Sequence, residues 1–317
     1  MVDILGPSLS LSGTLRPAKF SALLVALLAA CSPKTYALRN VADALSSSGQ
    51  SSVFARDDDP ELVREAVPFA LKSMEAMADR LPDHVQLRLA LARGFTQYGY
   101  AFVQLDADEA SDMAIAKGLR DRAGRLYLRA RAYGVEGLRL SRGVTEEELR
   151  GKEQARSAAL AKLTRDDLPM LYWTMTSWGA AISQRKTDLA LVGDVPSVGA
   201  MLDRALALDE SYELGALHEF AIAFNPARPE GTTLEKQRAH FERARELQKG
   251  KKISALVTYA ESVAGPAQDR KQFEALLREA LQFDTDQPEA RSERLENKIA
   301  QRRARFLLTH ESDILSD

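Results

Sequence analysis

The sequence predicts an all-α protein built from stacked antiparallel helical hairpins. Helix-favouring Ala, Leu, Arg and Glu dominate, whereas Val, Ile and Thr never alternate with polar residues as they do in a half-buried strand. No Asn-Gly or Asp-Gly pair, the strongest short hairpin signal, occurs in the 317 residues. Apolar residues make up 45% of the chain and charged residues 28%, a balance typical of a globular protein.

The first long helix is predicted to begin directly after three consecutive aspartates, residues 57–59. Asp59 is placed to cap the helix, Pro60 takes its first position, and Glu61 adds negative charge where the helix dipole favours it. Pro82 predicts that this helix ends near Arg80. Apolar spacing at the helical period then predicts helices at about 83–105, 109–140, 145–163, 168–184, 196–208, 212–224, 233–249, 253–263, 270–283 and 292–308.

Three of the later predicted helices end in similar sequence segments. Ala205, Ala244 and Ala280 occupy matching positions in similar segments, 39 and 36 residues apart. This spacing is near the tetratricopeptide period of about 34 residues, and small residues at such positions let neighbouring helices approach closely. We therefore predict a cryptic tetratricopeptide-like α-solenoid; the alternative is a non-repetitive helical bundle.

The charge balance argues against a nucleic-acid ligand. The net charge is −2, whereas a protein that neutralises phosphates normally carries a basic excess. The cluster of Arg302, Arg303 and Arg305 lies in the last turns of a predicted helix, where cations stabilise the helix dipole. We interpret it in that way rather than as a basic patch.

The N-terminus has the order of a bacterial lipoprotein signal peptide. Arg16 and Lys19 precede an apolar run over 20–30, which is shorter than the roughly 20 residues of a membrane-spanning helix, and Cys31 follows directly. Residues 28–31 (LAAC) resemble a lipobox, which implies that the Cys31 thiol is lipidated and that residues 1–30 are removed. Ser32 in place of Asp is similar to lipoproteins sent to the outer membrane, so we predict a periplasm-facing location there.

The predicted organisation of the chain follows from this signal. Residues 1–30 form the signal peptide, residues 31–56 a lipidated N-terminus and flexible tether with a short helix near 36–45, and residues 57–317 a single helical domain. Ser-rich composition at 46–52 favours flexibility in the tether. Cys31 is the single cysteine, so no internal disulfide forms.

The residue patterns of common active sites are missing. His218-Glu219 is followed by Ile222 where a zinc peptidase needs its second histidine, and Gly250-Lys251 lacks the first glycine of a phosphate-binding loop. Acidic clusters at 146–148 and 166–167 lie at helix starts, where capping accounts for them. We therefore expect no catalytic residue, no metal, no cofactor and no enzymatic activity.

Two aromatic segments offer a semi-polar surface inside the helical body. At helical spacing, segment 94–104 places one set of side chains on the packed face and another set on the opposite face. The packed set is Phe95, Tyr98 and Phe102, and the opposite set is Gln97, Tyr100 and Gln104. In segment 171–183 the packed stripe is Leu171, Met175, Trp178 and Ile182, which leaves Tyr172, Trp173 and Thr176 facing elsewhere. The six outward residues are candidates for the lining of a cavity or pore; the alternative is that both helices are central and buried on two sides.

The order and spacing of several segments resemble the T component associated with TRAP transporters (TatT family) along the whole mature chain. These segments are 94–104 (GFTQYGYAFVQ), 126–131 (LYLRAR), 171–183 (LYWTMTSWGAAIS), 215–220 (GALHEF), 240–244 (HFERA), 259–261 (YAE) and 302–304 (RRA). The resemblance implies a lipoprotein with tetratricopeptide-like hairpins that forms homotrimers and associates with the periplasmic substrate-binding (P) component of a TRAP system. It also implies a cavity or pore that a small ligand can enter.

We therefore predict a non-enzymatic lipoprotein that docks the TRAP substrate-binding protein and assists small-ligand uptake. One alternative is a generic tetratricopeptide-like lipoprotein scaffold for outer-membrane or cell-wall assembly, which binds peptides in an open groove. The other is an envelope enzyme without a recognisable motif. A neighbouring gene for a TRAP binding protein would favour the TRAP-associated role over the generic scaffold.

The lipid anchor gives the first testable prediction. Replacing the acceptor thiol in Cys31→Ser prevents lipidation, so we expect the variant to leave the membrane fraction while the wild type stays in it. Fractionation and mass spectrometry of the N-terminus measure both outcomes. A wild-type protein that is soluble in the periplasm with residues 1–30 attached contradicts the prediction.

Overall fold

The structure is a computed structural model, and it describes residues 33–46 and 53–316. The predicted signal peptide and Cys31 lie outside the described residues. By internal contacts the chain divides into two units, Met1–Val41 and Ala42–Asp317. Apart from the first part of α1, the features discussed below lie in the second unit.

The prediction of an all-α protein is confirmed, because the described residues contain helices and no β-strand. The α-helices are α1 (Pro33–Ser46), α2 (Pro60–Arg80), α3 (Val85–Tyr98), α4 (Leu105–Glu109), α5 (Met113–Arg142), α6 (Glu146–Arg150), α7 (Glu153–Ala161), α8 (Leu168–Gln184), α9 (Leu189–Val192), α10 (Val195–Asp209), α11 (Tyr212–Phe224), α12 (Leu234–Gln248), α13 (Ser254–Tyr259), α14 (Arg270–Gln282) and α15 (Arg294–Thr309). Two π-helical segments, Gly99–Gln104 and Ala260–Ala264, continue α3 and α13. In the described part of the chain, no helix is both long and apolar enough to cross a membrane.

Local capping explains where many of the helices begin. The Asp59 carboxylate accepts hydrogen bonds from the backbone N–H groups of Glu61 and Leu62, as the sequence predicts. The helix predicted over 145–163 is instead two helices, since the chain leaves the helical conformation at Gly151. Thr145 and Glu148 form a capping box at the start of the first of them, so this carboxylate has a structural role.

The segment predicted as a tether contains α1, which covers and extends the short helix expected near 36–45. Near the C-terminal end of α1, the Oδ1 atom of Asp43 lies 3.1 Å from the Nε2 atom of His84. Residues 47–52 lie outside the described residues, so flexibility there, and the division of the chain into signal, tether and domain, stay predictions.

The core is organised by the crossing of α5 with α8. Gly134 and Gly137 stand on the side of α5 that meets Thr174 and Met170 of α8. A Cβ atom on Gly134 would lie 2.4 Å from Thr174 Oγ1 and 3.0 Å from Thr174 Cα, and one on Gly137 would lie 2.2 Å from Met170 Cε. The two helices therefore touch at backbone distance, which only glycine permits on the α5 side.

The repeated alanines are buried at helix contacts. Ala205, Ala244 and Ala280 have no exposed surface. Gly215, at the start of α11, is close enough to α12 that a Cβ atom there would lie 3.3 Å from Ala244 Cα. Small residues thus permit close helix approach in this half of the chain, while solenoid stacking itself stays a prediction.

One set of contacts goes beyond a solenoid in which each repeat touches only its neighbours. Arg302 of α15 donates to Asp106 at 2.7 Å and to Glu109 at 2.9 Å, nearly 200 residues earlier in the chain. Arg64 of α2 donates to the same Asp106 carboxylate. Our interpretation of Arg302 as a cation placed for the helix dipole is therefore wrong, because its guanidinium is held by carboxylates of α4.

The helix crossing gives a stability prediction. Gly134→Ala forces a methyl group against the α8 backbone and is expected to lower the free energy of unfolding by about 1–3 kcal/mol. Gly118→Ala, on the exposed N-terminal half of α5 where a Cβ atom meets nothing, is the matched control and is expected to raise it by about 0.5–1 kcal/mol. Urea denaturation followed by circular dichroism measures both. Equal stability of the two variants contradicts the close crossing.

Candidate functional site

Tyr100, a predicted cavity residue, lies in the π-helical segment Gly99–Gln104. Its side chain is 43% exposed, yet burial in the surrounding protein raises the pKa of its hydroxyl. Exposure measures whether water can touch the ring, whereas desolvation measures how much protein surrounds it.

A cleft of about 350 Å³ lies among α4, α5, the second π-helical segment and α15, and Tyr100 is not one of its lining residues. Asp108, Glu261 and Arg303 line it, and the same three charged groups act on the Tyr100 hydroxyl. Glu261 belongs to the second π-helical segment, so both π-helical segments contribute to this region. Phe306 of α15 adds an apolar wall.

Arg303 is the buried cation of the cleft and is 7% exposed. Its Nε and Nη2 atoms donate to the Glu261 carboxylate. Burial opposes the charge, but Glu261 and Asp108 outweigh it and raise the pKa of Arg303. Nη1 lies 3.2 Å from Asp108 Oδ2, yet it makes no hydrogen bond within the described residues. Arg303 is therefore ion-paired with both acids of the cleft, although its contact with Asp108 lacks hydrogen-bond geometry.

Glu219 of α11 is a carboxylate held by hydroxyl groups. Ser254 Oγ donates to its Oε2 at 2.7 Å, and Thr258 Oγ1 donates to its Oε1 at 3.2 Å. Burial raises the pKa of Glu219, against the opposing effect of Lys252 and the two hydroxyls. α11 is otherwise apolar from Ala221 to Phe224, so this acid stands out on its helix.

Lys252, between α12 and α13, is buried beside this acid. Its Nζ lies 2.7 Å from Glu296 Oε1 of α15, and its side chain is 5% exposed. Burial lowers the pKa of Lys252, but the Glu296 and Glu219 carboxylates outweigh that effect and raise it. The amine is therefore charged at neutral pH.

The predicted residues of α8 form an aromatic and hydroxyl surface. The Tyr172 ring packs edge-on against Trp173, with centroids 4.9 Å apart. Burial raises the pKa of Tyr172, on which Lys252 and Glu219 also act. Thr176 lies one turn further along, and its Oγ1 atom is buried without a hydrogen-bond partner in the described residues. The packed stripe predicted for α8 is confirmed as buried.

The first turn of α11 is left-handed and lies beside the aromatic surface of α8. Glu213, Leu214 and Gly215 have φ values of 48°, 57° and 84°, a conformation that costs non-glycine residues about 1–2 kcal/mol each. Just before them, the Tyr212 ring packs against Tyr172 with centroids 5.3 Å apart. Burial raises the pKa of Tyr212, which is near Glu213 and Arg93 of α3. The turn thus brings an aromatic ring of α11 onto the candidate surface of α8.

Four of these side chains are joined electrostatically, and we call them the interior polar group: Tyr100, Tyr172, Glu219 and Lys252. The Glu219 carboxylate acts on both tyrosines, and Lys252 acts on Tyr172 and on Glu219. Candidates from the two aromatic segments, far apart in sequence, are therefore brought near the same acid.

The amides predicted beside Tyr100 have different environments. Gln97 is exposed, and the helical period puts it on the same face as Arg93 and Tyr100. Gln104 is partly exposed, and its Oε1 accepts a 2.6 Å hydrogen bond from the buried Tyr127 hydroxyl. The π-helical turn holds more residues than an α-helical turn, so the face inferred from the 3.6-residue period does not continue unchanged to Gln104.

The sequence analysis missed the charged members of this region. Lys252 and Glu296 follow no motif, because each is defined by a partner that is distant in sequence, and Glu261 was named only as part of the family-like segment 259–261. Glu219 had a signal that we read as a failed zinc motif and as part of the family-like segment 215–220: it is a carboxylate in the apolar second half of its helix.

Two histidines that are 22 residues apart in sequence meet between α11 and α12. Their Nδ1 atoms are 2.9 Å apart, and His218 Nε2 lies 3.1 Å from Glu210 Oε2. Burial lowers the pKa of both His218 and His240, so the pair is held neutral and hydrogen-bonded. Among the described residues, no group of three or more His, Cys, Asp and Glu side chains is arranged to hold a metal ion.

Comparison with known proteins gives two matches. The sequence profile of a family described as TRAP transporter T-component matches residues 56–315. A protein of Treponema pallidum (strain Nichols), described as uncharacterized, is 32% identical over 278 residues, which cover 86% of this chain and 85% of the relative.

The environments of residues 94–104 predict how strongly alanine substitutions in this segment lower the free energy of unfolding. Phe102→Ala removes a buried ring that packs against Tyr98 and is expected to cost about 3–5 kcal/mol. Gln97→Ala removes an exposed side chain and should stay within about 0.5 kcal/mol, with Tyr100→Ala only slightly above it. Gln104→Ala leaves the Tyr127 hydroxyl unpaired, at about 1–3 kcal/mol.

Chemical denaturation of these four variants, followed by circular dichroism, measures the ranking. Large and equal losses for Tyr100→Ala and Phe102→Ala would show that Tyr100 is part of the packed core.

Proposed function

The chain belongs to the TRAP transporter T-component family, and from that premise we propose that it is a non-enzymatic, lipid-anchored envelope protein serving TRAP-dependent uptake. In this proposal the helical body docks the periplasmic substrate-binding component. A small ligand then enters the recess bordered by the interior polar group.

The observation that carries the ligand part of the proposal is the environment of Tyr100. Tyr100 is 43% exposed, yet burial raises the pKa of its hydroxyl, on which the charged groups of the cleft also act. A residue of the packed core would have no such exposure, and a residue on the convex surface would have no such desolvation. A water-accessible recess accounts for both.

A binding role also suits the other acids that a search for catalysis would examine. Glu148 caps a helix, and Asp167 accepts from the Thr164 backbone and from Arg142. These carboxylates are engaged in structure, which supports a scaffold that binds rather than a site that reacts. The lipid anchor at Cys31, the outer-membrane location and the homotrimer rest on the signal sequence and on the family resemblance.

Co-purification tests the docking proposal. The tagged full-length protein, solubilised from membranes of its own cells in detergent, is expected to retain a TRAP-type periplasmic substrate-binding protein in the eluate. Tyr100→Ala is expected to retain this partner while lowering ligand uptake by the cells, since it changes the recess and not the outer surface. Mass spectrometry of the eluate and an uptake assay are the two measurements.

Arg238→Ala on the exposed face of α12 is the control, because Arg238 pairs with Glu242 one turn away and is not a member of the interior polar group. It should keep both partner and uptake. An eluate without a TRAP binding protein but with factors of outer-membrane or cell-wall assembly contradicts the proposal and favours the scaffold alternative.

A further inference from the structure

A second cleft, of about 490 Å³, lies between α7, α10 and the segment that follows α11. We call it the arginine cleft, because Arg156, Arg204 and Arg228 all line it. Its volume is within the range of small-molecule sites. No residue of the interior polar group lines it, and it shares no lining residue with the cleft at Arg303. A ligand of the arginine cleft is therefore independent of the proposed function.

One of the three arginines is neutralised by its neighbours. The Arg228 guanidinium donates from Nη1 and Nη2 to the two Asp203 carboxylate oxygens, at 2.8 and 2.9 Å, and from Nε to Glu230. Gly199 of α10 makes room for it, since a Cβ atom there would lie 3.3 Å from Arg228 Cζ. Arg228 is therefore a fixed wall of the cleft, and carboxylates already balance its charge.

Within the part of the chain that the structure describes, the other two arginines bond only backbone carbonyl groups. Arg156 Nη1 donates to the Gly151 carbonyl at 3.0 Å, and Arg204 Nη2 donates to the Leu163 carbonyl. The Nε atoms of both arginines are buried and have no hydrogen-bond partner there. A guanidinium is charged at any physiological pH. The arginine cleft thus contains two cations for which the described residues supply no carboxylate.

Each of these two cations also keeps a terminal nitrogen for a ligand. Arg156 Nη2 and Arg204 Nη1 make no hydrogen bond with residues 33–46 or 53–316, and unlike the Nε atoms they are reached by solvent. A guanidinium matches the geometry of an oxyanion, and its charge-assisted hydrogen bonds are about twice as strong as neutral ones. The two arginines therefore predict that the ligand carries an oxyanion.

Glu153 adds a negative charge without a partner to the same cleft. It lies three residues before Arg156 on α7, so the two side chains share a face of the helix. They form no ion pair with each other, since Arg156 reaches the Gly151 carbonyl instead, and no other described cation pairs with the exposed Glu153 carboxylate. A purely anionic ligand would satisfy the arginines and leave this acid unpaired. A ligand that also carries an ammonium group satisfies both.

The rest of the lining narrows the ligand class further. A phosphate dianion would bring two negative charges to a cleft that already contains three carboxylates, those of Glu153, Asp203 and Glu230. A carboxylate, with a single charge, meets less repulsion. Apolar surface comes from five further lining residues: Leu160, Ala161, Pro196, Ala200 and Pro229. An apolar group of the ligand is stabilised when it is removed from water against this surface.

We propose that the arginine cleft binds an α-amino acid with an apolar side chain. The ligand carboxylate accepts hydrogen bonds from Arg156 and Arg204, the ammonium group donates to Glu153, and the side chain packs on the apolar lining. One small zwitterion then supplies partners for the two cations and the acid that the described residues leave unpaired.

Equilibrium dialysis of the full-length protein in detergent with three radiolabelled probes tests the ligand class. L-leucine carries both charges, N-acetyl-L-leucine keeps only the carboxylate, and L-leucinamide keeps only the ammonium group. L-leucine is expected to bind about tenfold more tightly than either of the others, a difference of about 1.4 kcal/mol. Equally tight binding of either single-charge probe overturns the proposal, and so does the absence of L-leucine binding at millimolar concentration.

Glu153→Gln tests the ammonium contact. It removes one exposed charge at nearly constant shape, so we expect it to weaken L-leucine binding about tenfold and to leave N-acetyl-L-leucine binding unchanged. Glu147→Gln is the matched control, because Glu147 is also an exposed acid in the first turn of its helix and does not line the cleft. It should change neither affinity. Equal losses of L-leucine binding in the two variants contradict the contact.

Arg156→Gln tests the carboxylate contact. Since both probes carry a carboxylate, it is expected to weaken L-leucine and N-acetyl-L-leucine by the same factor, of about tenfold. Arg156→Lys keeps the charge but not the planar fork and should restore part of the binding. Arg305→Gln, at an exposed arginine of α15 that does not line the cleft, is the control. Circular dichroism shows whether each variant is folded. Unchanged L-leucine binding by folded Arg156→Gln overturns the site.

Discussion

The close crossing of α5 and α8 fixes the orientation of the candidate site. Because Gly134 admits the α8 backbone, Thr174 is held against α5 and its hydroxyl bonds the Met170 carbonyl of its own helix. Tyr172 and Thr176 lie two residues to either side of Thr174, about 200° around the helix, so they point away from that crossing. A larger residue at position 134 would rotate or displace α8. The aromatic surface would then lose its relation to α11.

The second constraint is the set of ion pairs between α4 and α15. Isolated surface ion pairs contribute little, but Asp106 is shared by Arg64 and Arg302 in a partly buried setting, and networks of this kind are more favourable. Arg303, next along α15, reaches Glu261 and the cleft. One helix therefore pairs with α4, far away in sequence, and also places a buried cation at the cleft. The carbonyl groups of Ala101 and Phe102, in the first π-helical segment, accept from the same arginines, which ties that segment to the closure.

The sequence predicted the helices because their signals are local. Capping at Asp59 and the absence of strand signals need no knowledge of distant contacts, and α2 begins where they indicate. The π-helical segment was not predictable, since nothing in its composition distinguishes it from an α-helix and the 3.6-residue period was extended through it to Gln104. The role of Arg302 was misread for a different reason: dipole effects can be inferred within one helix, whereas a bond to Asp106 depends on tertiary structure. For the candidate site, the aromatic members came from helical spacing and the charged members did not, because each is defined by a partner on another helix.

The polar interior is hard to explain as a device for stability. Lys252 is a buried cation paired with the half-exposed Glu296, and placing a charge inside a protein often gives no more stability than a packed apolar residue would. Burying the charged form of Glu219 also costs free energy, since burial raises its pKa even with two hydroxyls donating to it.

This cost is smaller where water reaches one side of such a group, and Tyr100, on which Glu219 acts, is accessible to solvent. Charged groups that are stabilised by partners on one side and meet a solvated recess on the other are the usual arrangement of a ligand site, where polar atoms are kept for a molecule that comes and goes. The buried Thr176 hydroxyl has no hydrogen-bond partner among the described residues, so it costs free energy unless water or another polar atom reaches it.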